Sequence, residues 1–148
     1  MNIRVVVKHF NDLTVDELYQ ILRVRSEVFV VEQNCVFLDM DNNDQPCHHL
    51  MLLDGDAIVA YARLVPPGVT YDEMSIGRVV SNPAYRGTGA GKQLIAESIA
   101  HCYRLFGKGP IKIGAQLYLE KFYGSFGFVR CSEVYDEDGI DHVKMLLV

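Results

Sequence analysis

Val79-Val80-Ser81-Asn82-Pro83-Ala84-Tyr85-Arg86-Gly87-Thr88-Gly89-Ala90-Gly91-Lys92 decides how the rest of the chain is read. An apolar run ends at Asn-Pro, a glycine-rich turn follows, and a long amphipathic stretch opens at Lys92. A strand that turns through glycines into a helix presents free backbone N–H groups at the positive end of the helix dipole, which suits a phosphate or pyrophosphate. Counting excludes two familiar phosphate loops. A P-loop needs Gly five residues before the Gly-Lys pair and Ser or Thr after it, but Arg86 and Gln93 hold those places. A dinucleotide fingerprint begun at Gly87 needs Gly where Lys92 stands, and would have to open the first βαβ unit. What remains is Arg86-x-x-Gly89-x-Gly91, whose glycines a tight turn capping a helix would also explain.

Composition bounds the possibilities. The chain has 148 residues, one domain's worth and enough for a real core. Its net charge of -5 excludes a general nucleic-acid footprint. An acidic surface suits cationic amine substrates, although most such charges are simply solvated. Cys35, Cys47, Cys102 and Cys131 are scattered with no C-x-x-C spacing, which argues against zinc. With no signal peptide at the N-terminus they also argue against a disulfide framework, and the cytoplasm is the expected compartment. No apolar run approaches the length of a bilayer span, so no membrane partner is expected.

Outward from the loop, the pattern gives an order of elements. Ile3 to His9 reads as a β-branched strand. Thr14-Val15-Asp16-Glu17 is a capping box opening a helix with a stripe of Leu18, Ile21, Leu22, Arg25, Val28 and Phe29. Gln33 to Cys47 reads as loop. His49 to Leu53 and Ile58 to Val65 form a hairpin turned at Asp54-Gly55-Asp56. In the pair His48-His49 one ring must point to each face. Glu73 to Val80 is the strand feeding the glycine loop. The helix after it carries Leu94, Ile95, Ile99, Cys102 and Phe106 on one side. Ile111 to Ala115 is a short buried strand, and Leu117 to Phe126 an aromatic-rich helix stopped by Gly127. Phe128 to Val134 and His142 to Val148 close as strands around Asp136-Glu137-Asp138-Gly139. The order is mixed α/β with a partly antiparallel sheet.

Arg86-x-x-Gly89-x-Gly91 resembles the pyrophosphate loop of the GNAT superfamily of acyl-CoA-dependent N-acyltransferases, patterned Gln/Arg-x-x-Gly-x-Gly/Ala. A second block strengthens the likeness: Gly114-Ala115-Gln116-Leu117-Tyr118-Leu119-Glu120-Lys121-Phe122-Tyr123-Gly124-Ser125-Phe126-Gly127-Phe128 has the family's Phe-Tyr before a Gly-Phe pair. Arg23 to Gln33 and Glu133 to His142 look like the ElaA-type branch, so the resemblance covers nearly the whole chain. Asp141 departs from it, where that branch often has proline before the histidine. The resemblance implies a GNAT fold: α/β (α+β), a mixed, mostly antiparallel twisted sheet of about seven strands flanked by helices and splayed at its centre to hold acyl-CoA.

The resemblance also implies roles. Acyl transfer from a thioester to an amine must hold the cofactor, deprotonate the amine, stabilise the oxyanion and protonate the leaving thiolate. The backbone of Arg86, Gly87, Thr88, Gly89, Ala90, Gly91 and Lys92 would cradle the pyrophosphate of acetyl-CoA. Val79 and Val80 would pair with the pantetheine arm like an added strand, with Tyr118 and Phe122 beside it. Tyr123 matches the tyrosine that often protonates the thiolate, although an amphipathic core tyrosine is the plainer reading. For the base, His142 stands where the related glyphosate N-acetyltransferase has its catalytic histidine, and its ordinary pKa suits the task. Glu73, working through water, is the other choice. No metal is expected. Acceptor pockets in this fold come from the first helix, its following loop and the C-terminal hairpin, which makes Arg25, Phe29, Glu32 and Asp41 candidate acceptor contacts.

Two local oddities remain. Asp39-Met40-Asp41-Asn42-Asn43-Asp44 invites a calcium reading but fails as an EF-hand, having Asp44 at position six and Leu50 at position twelve. Arg25 falls on an apolar stripe, where a buried cation needs a partner such as Glu32 or Asp41; otherwise it recognises the acceptor. The expected activity is transfer of acetyl from acetyl-CoA to a small amine or an amino-terminal group, by a protein that the resemblance also allows to be a homodimer. The alternatives are a non-catalytic acyl-CoA-binding domain, which would keep the loop and lose the acid, and an acyl-homoserine-lactone synthase. The last normally has a tryptophan near the first helix, and this chain has none.

Overall fold

The computed structural model describes residues 2–148. β1 (Ile3–His9), β2 (His48–Asp54), β3 (Ala57–Val65) and β4 (Ser75–Ser81) form an antiparallel sheet in that spatial order. The predicted hairpin joins β2 to β3, Asp54 pairing with Ala57 across a two-residue turn in which Gly55 has φ +59°. Alternation along β2 divides its side chains between two cores. Leu50 and Leu52 meet Leu94, Ile95 and Cys102 of α2 (Ala90–Phe106) on one face. Met51 and Leu53 meet Ile21, Val24 and Val28 of α1 (Val15–Arg25, running on to Glu32) on the other. Covered on both faces, β3 reads as a nearly unbroken apolar run. The paired histidines split as the alternation requires: His48 packs edge-on against Phe106, whereas His49 stacks on Tyr61.

α1 opens on the expected box, Thr14 Oγ1 accepting from Glu17 N–H while Glu17 Oε1 accepts from Thr14 N–H. Past Arg25 the helix widens into a π segment, Ser26–Glu32, which shifts the register of its last turns and is a device often met at functional sites.

The second sheet is built on β8 (Ile140–Leu147), paired antiparallel with β5 (Ile111–Gln116) on one edge and with β6 (Val129–Arg130) and β7 (Tyr135–Glu137) on the other. β4 and β5 touch only at their beginnings, through a parallel bridge Met74–Ile111 in which Lys112 N–H donates to Met74 C=O at 3.0 Å. Beyond it the two strands diverge. This is the splayed, helix-flanked arrangement of strands that the resemblance implied.

Three expectations are corrected. The helix expected over Leu117–Phe126 is a 3₁₀ turn, Leu117–Leu119, followed by the short α3 (Glu120–Gly124). Its aromatic residues pack inward in T-shaped contacts and set its shape more than helix periodicity does. The strand expected over Phe128–Val134 breaks into β6 and β7, because Ser132 takes the ladder position facing β8, its Oγ accepting from Lys144 N–H. The last turn is tighter than Asp136–Gly139: β7 runs to Glu137, and Asp138 and Gly139, with φ +52° and +83°, make a two-residue hairpin.

Candidate functional site

The glycine loop is built from its first residues. Asn82 accepts from Ala84 N–H through Oδ1 at 3.0 Å and donates through Nδ2 to Ile58 C=O at 2.8 Å, tying the end of β4 to β3. Pro83 opens a one-turn 3₁₀ segment, and Thr88 Oγ1 donates back to Tyr85 C=O at 2.7 Å. Gly89 is the N-cap of α2 with φ +82°, left-handed backbone that glycine adopts without strain. Having no side chain, it caps nothing, so the first-turn N–H groups of α2 remain available to an anion. This cradle fits a pyrophosphate.

From Arg86 and Gly91 a cavity of about 840 Å³ runs between the diverging strands to the turn between β7 and β8. Val79 and Val80 line one wall, Gly114 and Gln116 the other, with Tyr118 and Phe122 over the loop end. Phe29, Glu32, Asp41, Tyr123 and His142 also reach it. Gly87, Thr88, Gly89, Ala90 and Lys92 belong to the same loop and helix start but do not line the cavity.

Two further candidates fall outside. Glu73 lies before the start of β4, beyond the point where β4 meets β5, and does not line the cavity. Arg25 is wholly buried, with Nε on Asp39 and Nη1 on Asp44, each at 2.8 Å. It is a structural cation, and its partners are neither Glu32 nor Asp41. Glu32 instead makes a bidentate pair with Arg86, joining the end of α1 to the glycine loop.

Asp41 belongs to a larger cluster around Arg25. Arg63 bonds Asp41 through Nη1 and Nη2 at 2.8 and 2.9 Å, and reaches Asp44 at 3.0 Å. Arg78 Nε lies 2.8 Å from Asp39, and its Nη2 donates to Asp39 C=O at 2.8 Å. Three guanidiniums therefore neutralise the acidic loop. Hydrogen bonds and charge from these arginines outweigh burial and hold the Asp41 and Asp44 carboxyls below the usual range. His49 anchors the loop from beneath, Nε2–H donating to Asp44 C=O at 2.9 Å and Nδ1 accepting from Tyr61 O–H at 2.6 Å.

Tyr123 is almost fully buried, and desolvation pushes its phenol well above the ordinary value, with Tyr118 adding to the effect. It therefore stays protonated, a hydrogen-bond donor at any working pH. His142 Nδ1 lies 2.7 Å from Ile140 C=O, which can only accept, so Nδ1 carries a proton. The Tyr135 ring stacks on this imidazole at 5.9 Å, and Glu137 stands 3.3 Å from Nε2.

Arg63, Arg78 and Glu137 were not singled out from sequence, and Asp39 and Asp44 only as members of the acidic loop. Arg63 carried a signal, as a charge inside the apolar run Ile58–Val65. Arg78 carried little beyond its place after Gly77: it sits at a register slip between β3 and β4 with φ +51°, rare for a side-chain-bearing residue.

Comparison with known proteins agrees with this geometry. Residues 11–148 match the family model described as Acetyltransferase (GNAT) domain. The chain is 40% identical over 139 residues to protein ElaA of Escherichia coli, covering 93% of this chain and 91% of that one. The crystal structure of that ElaA superposes with a TM-score of 0.93 over 99% of this chain and 100% of the other. The crystal structure of an acyl-CoA N-acyltransferase from Pseudomonas aeruginosa, 41% identical, superposes with a TM-score of 0.95 over 99% of this chain and 100% of that one. A Bacillus subtilis acetyltransferase solved in complex with CoA, 21% identical, has the same fold with a TM-score of 0.65, covering 99% of this chain and 98% of that one.

Proposed function

Since the chain belongs to the GNAT acetyltransferase family, we propose that it transfers acetyl from acetyl-CoA to the primary amine of a small molecule or peptide N-terminus, by direct attack with both substrates bound. One observation carries this reading: a single cavity joins the uncapped start of α2, the unpaired edge of β4, and Tyr123 with His142. Acetyl-CoA supplies an activated acyl thioester. Backbone N–H groups at the start of α2 hold its pyrophosphate, and the free edge of β4 at Val79 and Val80 orients the arm behind it. His142 Nε2 takes the proton of the amine, its ring fixed by Ile140 and Tyr135. Tyr123, kept protonated by its burial, donates its proton to the departing thiolate as general acid. No helix among the described residues is long and apolar enough to cross a membrane, and none of their His, Cys, Asp and Glu side chains cluster as a metal site.

Calorimetric titration with acetyl-CoA, desulfo-CoA and ATP tests the reading. One-site binding of both CoA compounds, with none of ATP, is expected. Failure of either CoA compound to bind overturns it and leaves the glycine loop as a plain helix start.

A further inference from the structure

The arginine–aspartate cluster is balanced in charge but not in geometry. Arg25 spends Nε, Nη1 and Nη2 inside the cluster. Arg63 spends Nη1 and Nη2, and its remaining Nε, though without a partner among the described residues, is buried away from the cavity, with the side chain only 5% exposed. Arg78 differs on three counts. Its Nε and Nη2 are engaged by Asp39 and Asp41, but Nη1 has no partner among the described residues. Its side chain is 24% exposed and lines the cavity, which neither of the others does. And its backbone is held at φ +51°, a strained conformation of the kind that clusters at binding and catalytic sites.

Its place along β4 gives the free nitrogen a purpose. The glycine loop follows the end of β4, and Val79 and Val80 precede the loop. Arg78 is one strand step farther from the phosphate cradle, on the side where the acyl end of the cofactor meets the acceptor. The other arginine of the cavity, Arg86, has its fork filled by Glu32. On the acceptor side Glu137 and Asp138 line the cavity from the hairpin turn, with no arginine or lysine among the described residues bonded to them. The cavity thus offers negative charge to attract an ammonium group, and one guanidinium nitrogen, rigidly braced, for a carboxylate.

We propose that Arg78 selects the acceptor by binding its carboxylate, so that the substrate class is small amino acids and not peptide N-termini. Resting as it does on the acyltransferase reading, this is tested with acetyl-CoA, following thiol release with each protein amino acid, β-alanine and 4-aminobutyrate, and with their carboxamides. At least one free acid is expected to turn over with kcat/KM about ten- to hundredfold above its carboxamide, mainly through KM, the size of one charge-assisted hydrogen bond. Arg78→Gln should erase that preference, bringing kcat/KM for the acid down to that for its carboxamide, and Arg78→Lys should restore part of it. Carboxamides as good as acids, no turnover of any acid while acetyl-CoA still binds, or an equal loss on both in Arg78→Gln would each overturn the proposal. The acid–carboxamide comparison needs only the parent protein, so a poorly folding variant does not spare it. Loss of acetyl-CoA binding by the parent protein would instead remove the underlying reading, and the inference with it.

Discussion

Replacing Arg25 with methionine removes a wholly buried cation and keeps most of its volume. Two carboxylates, Asp39 and Asp44, each lose a partner at 2.8 Å, and Tyr61 loses a guanidinium 5.9 Å from its ring centre. Breaking a buried ion pair from one side costs about 3–5 kcal/mol, because the remaining charge stays desolvated. Here Asp44 keeps Arg63 at 3.0 Å and Asp39 keeps Arg78 at 2.8 Å, which places the loss near the lower end, about 3 kcal/mol. With a urea dependence of about 2 kcal/mol per molar, the unfolding midpoint should fall by about 1.5 M. Tyrosine emission can follow the transition, as the chain has eight tyrosines and no tryptophan. The folded variant should keep the parent's kcat/KM for the acceptor. A midpoint within about 0.3 M of the parent, together with lost acceptor turnover, would refute the structural role and return Arg25 to the acceptor.

The same geometry gives other expected outcomes. Tyr123→Phe should lower kcat by about two to four orders of magnitude while leaving the calorimetric affinity for acetyl-CoA unchanged. Gly89→Ala places a side chain at φ +82°, where nothing collides but the backbone is strained, and should cost about 1–2 kcal/mol, or roughly 2–6 °C in Tm by calorimetry, along with weaker CoA binding. The depressed Asp41 and Asp44 pKa values add stability above the range where the same carboxyls ionise in the unfolded chain, and lose it as pH falls through their folded values. Urea midpoints should therefore hold from pH 7 to about 5 and fall below about 4, and Asp41→Asn should flatten that fall.

Local chemistry made much of this molecule legible. The capping box at Thr14, the turn at Gly55, the strand ending at Asn82 and the glycine start of α2 each depend on neighbours in sequence, and each stands where the residues imply. What sequence concealed depends on distance. Arg25 meets carboxylates 14 and 19 positions away, and Arg78 reaches back 39 to the same acidic loop. No local pattern declares such a pairing, so Glu32 and Asp41 were the natural but wrong partners for Arg25. Glu73 stands off the cavity for a related reason: the pattern shows a strand but not where it parts from its neighbour. In the short β6, β7 and α3, packing of Phe122, Phe126 and Tyr135 overrides propensity.

The divergence of β4 and β5 has a bearing on solubility. A strand edge with unpaired N–H and C=O groups is a template for joining other chains, and proteins usually charge it, shorten it or cover it. This molecule turns two of its sheet edges, β4 and β5, inward, facing each other across a crevice whose base is pinned at Met74 and Ile111. In that crevice a foreign strand finds no open side to add to, whereas a slender ligand arm can enter lengthwise and satisfy those groups. The feature that makes the pocket sticky thus also keeps it from being sticky to other proteins.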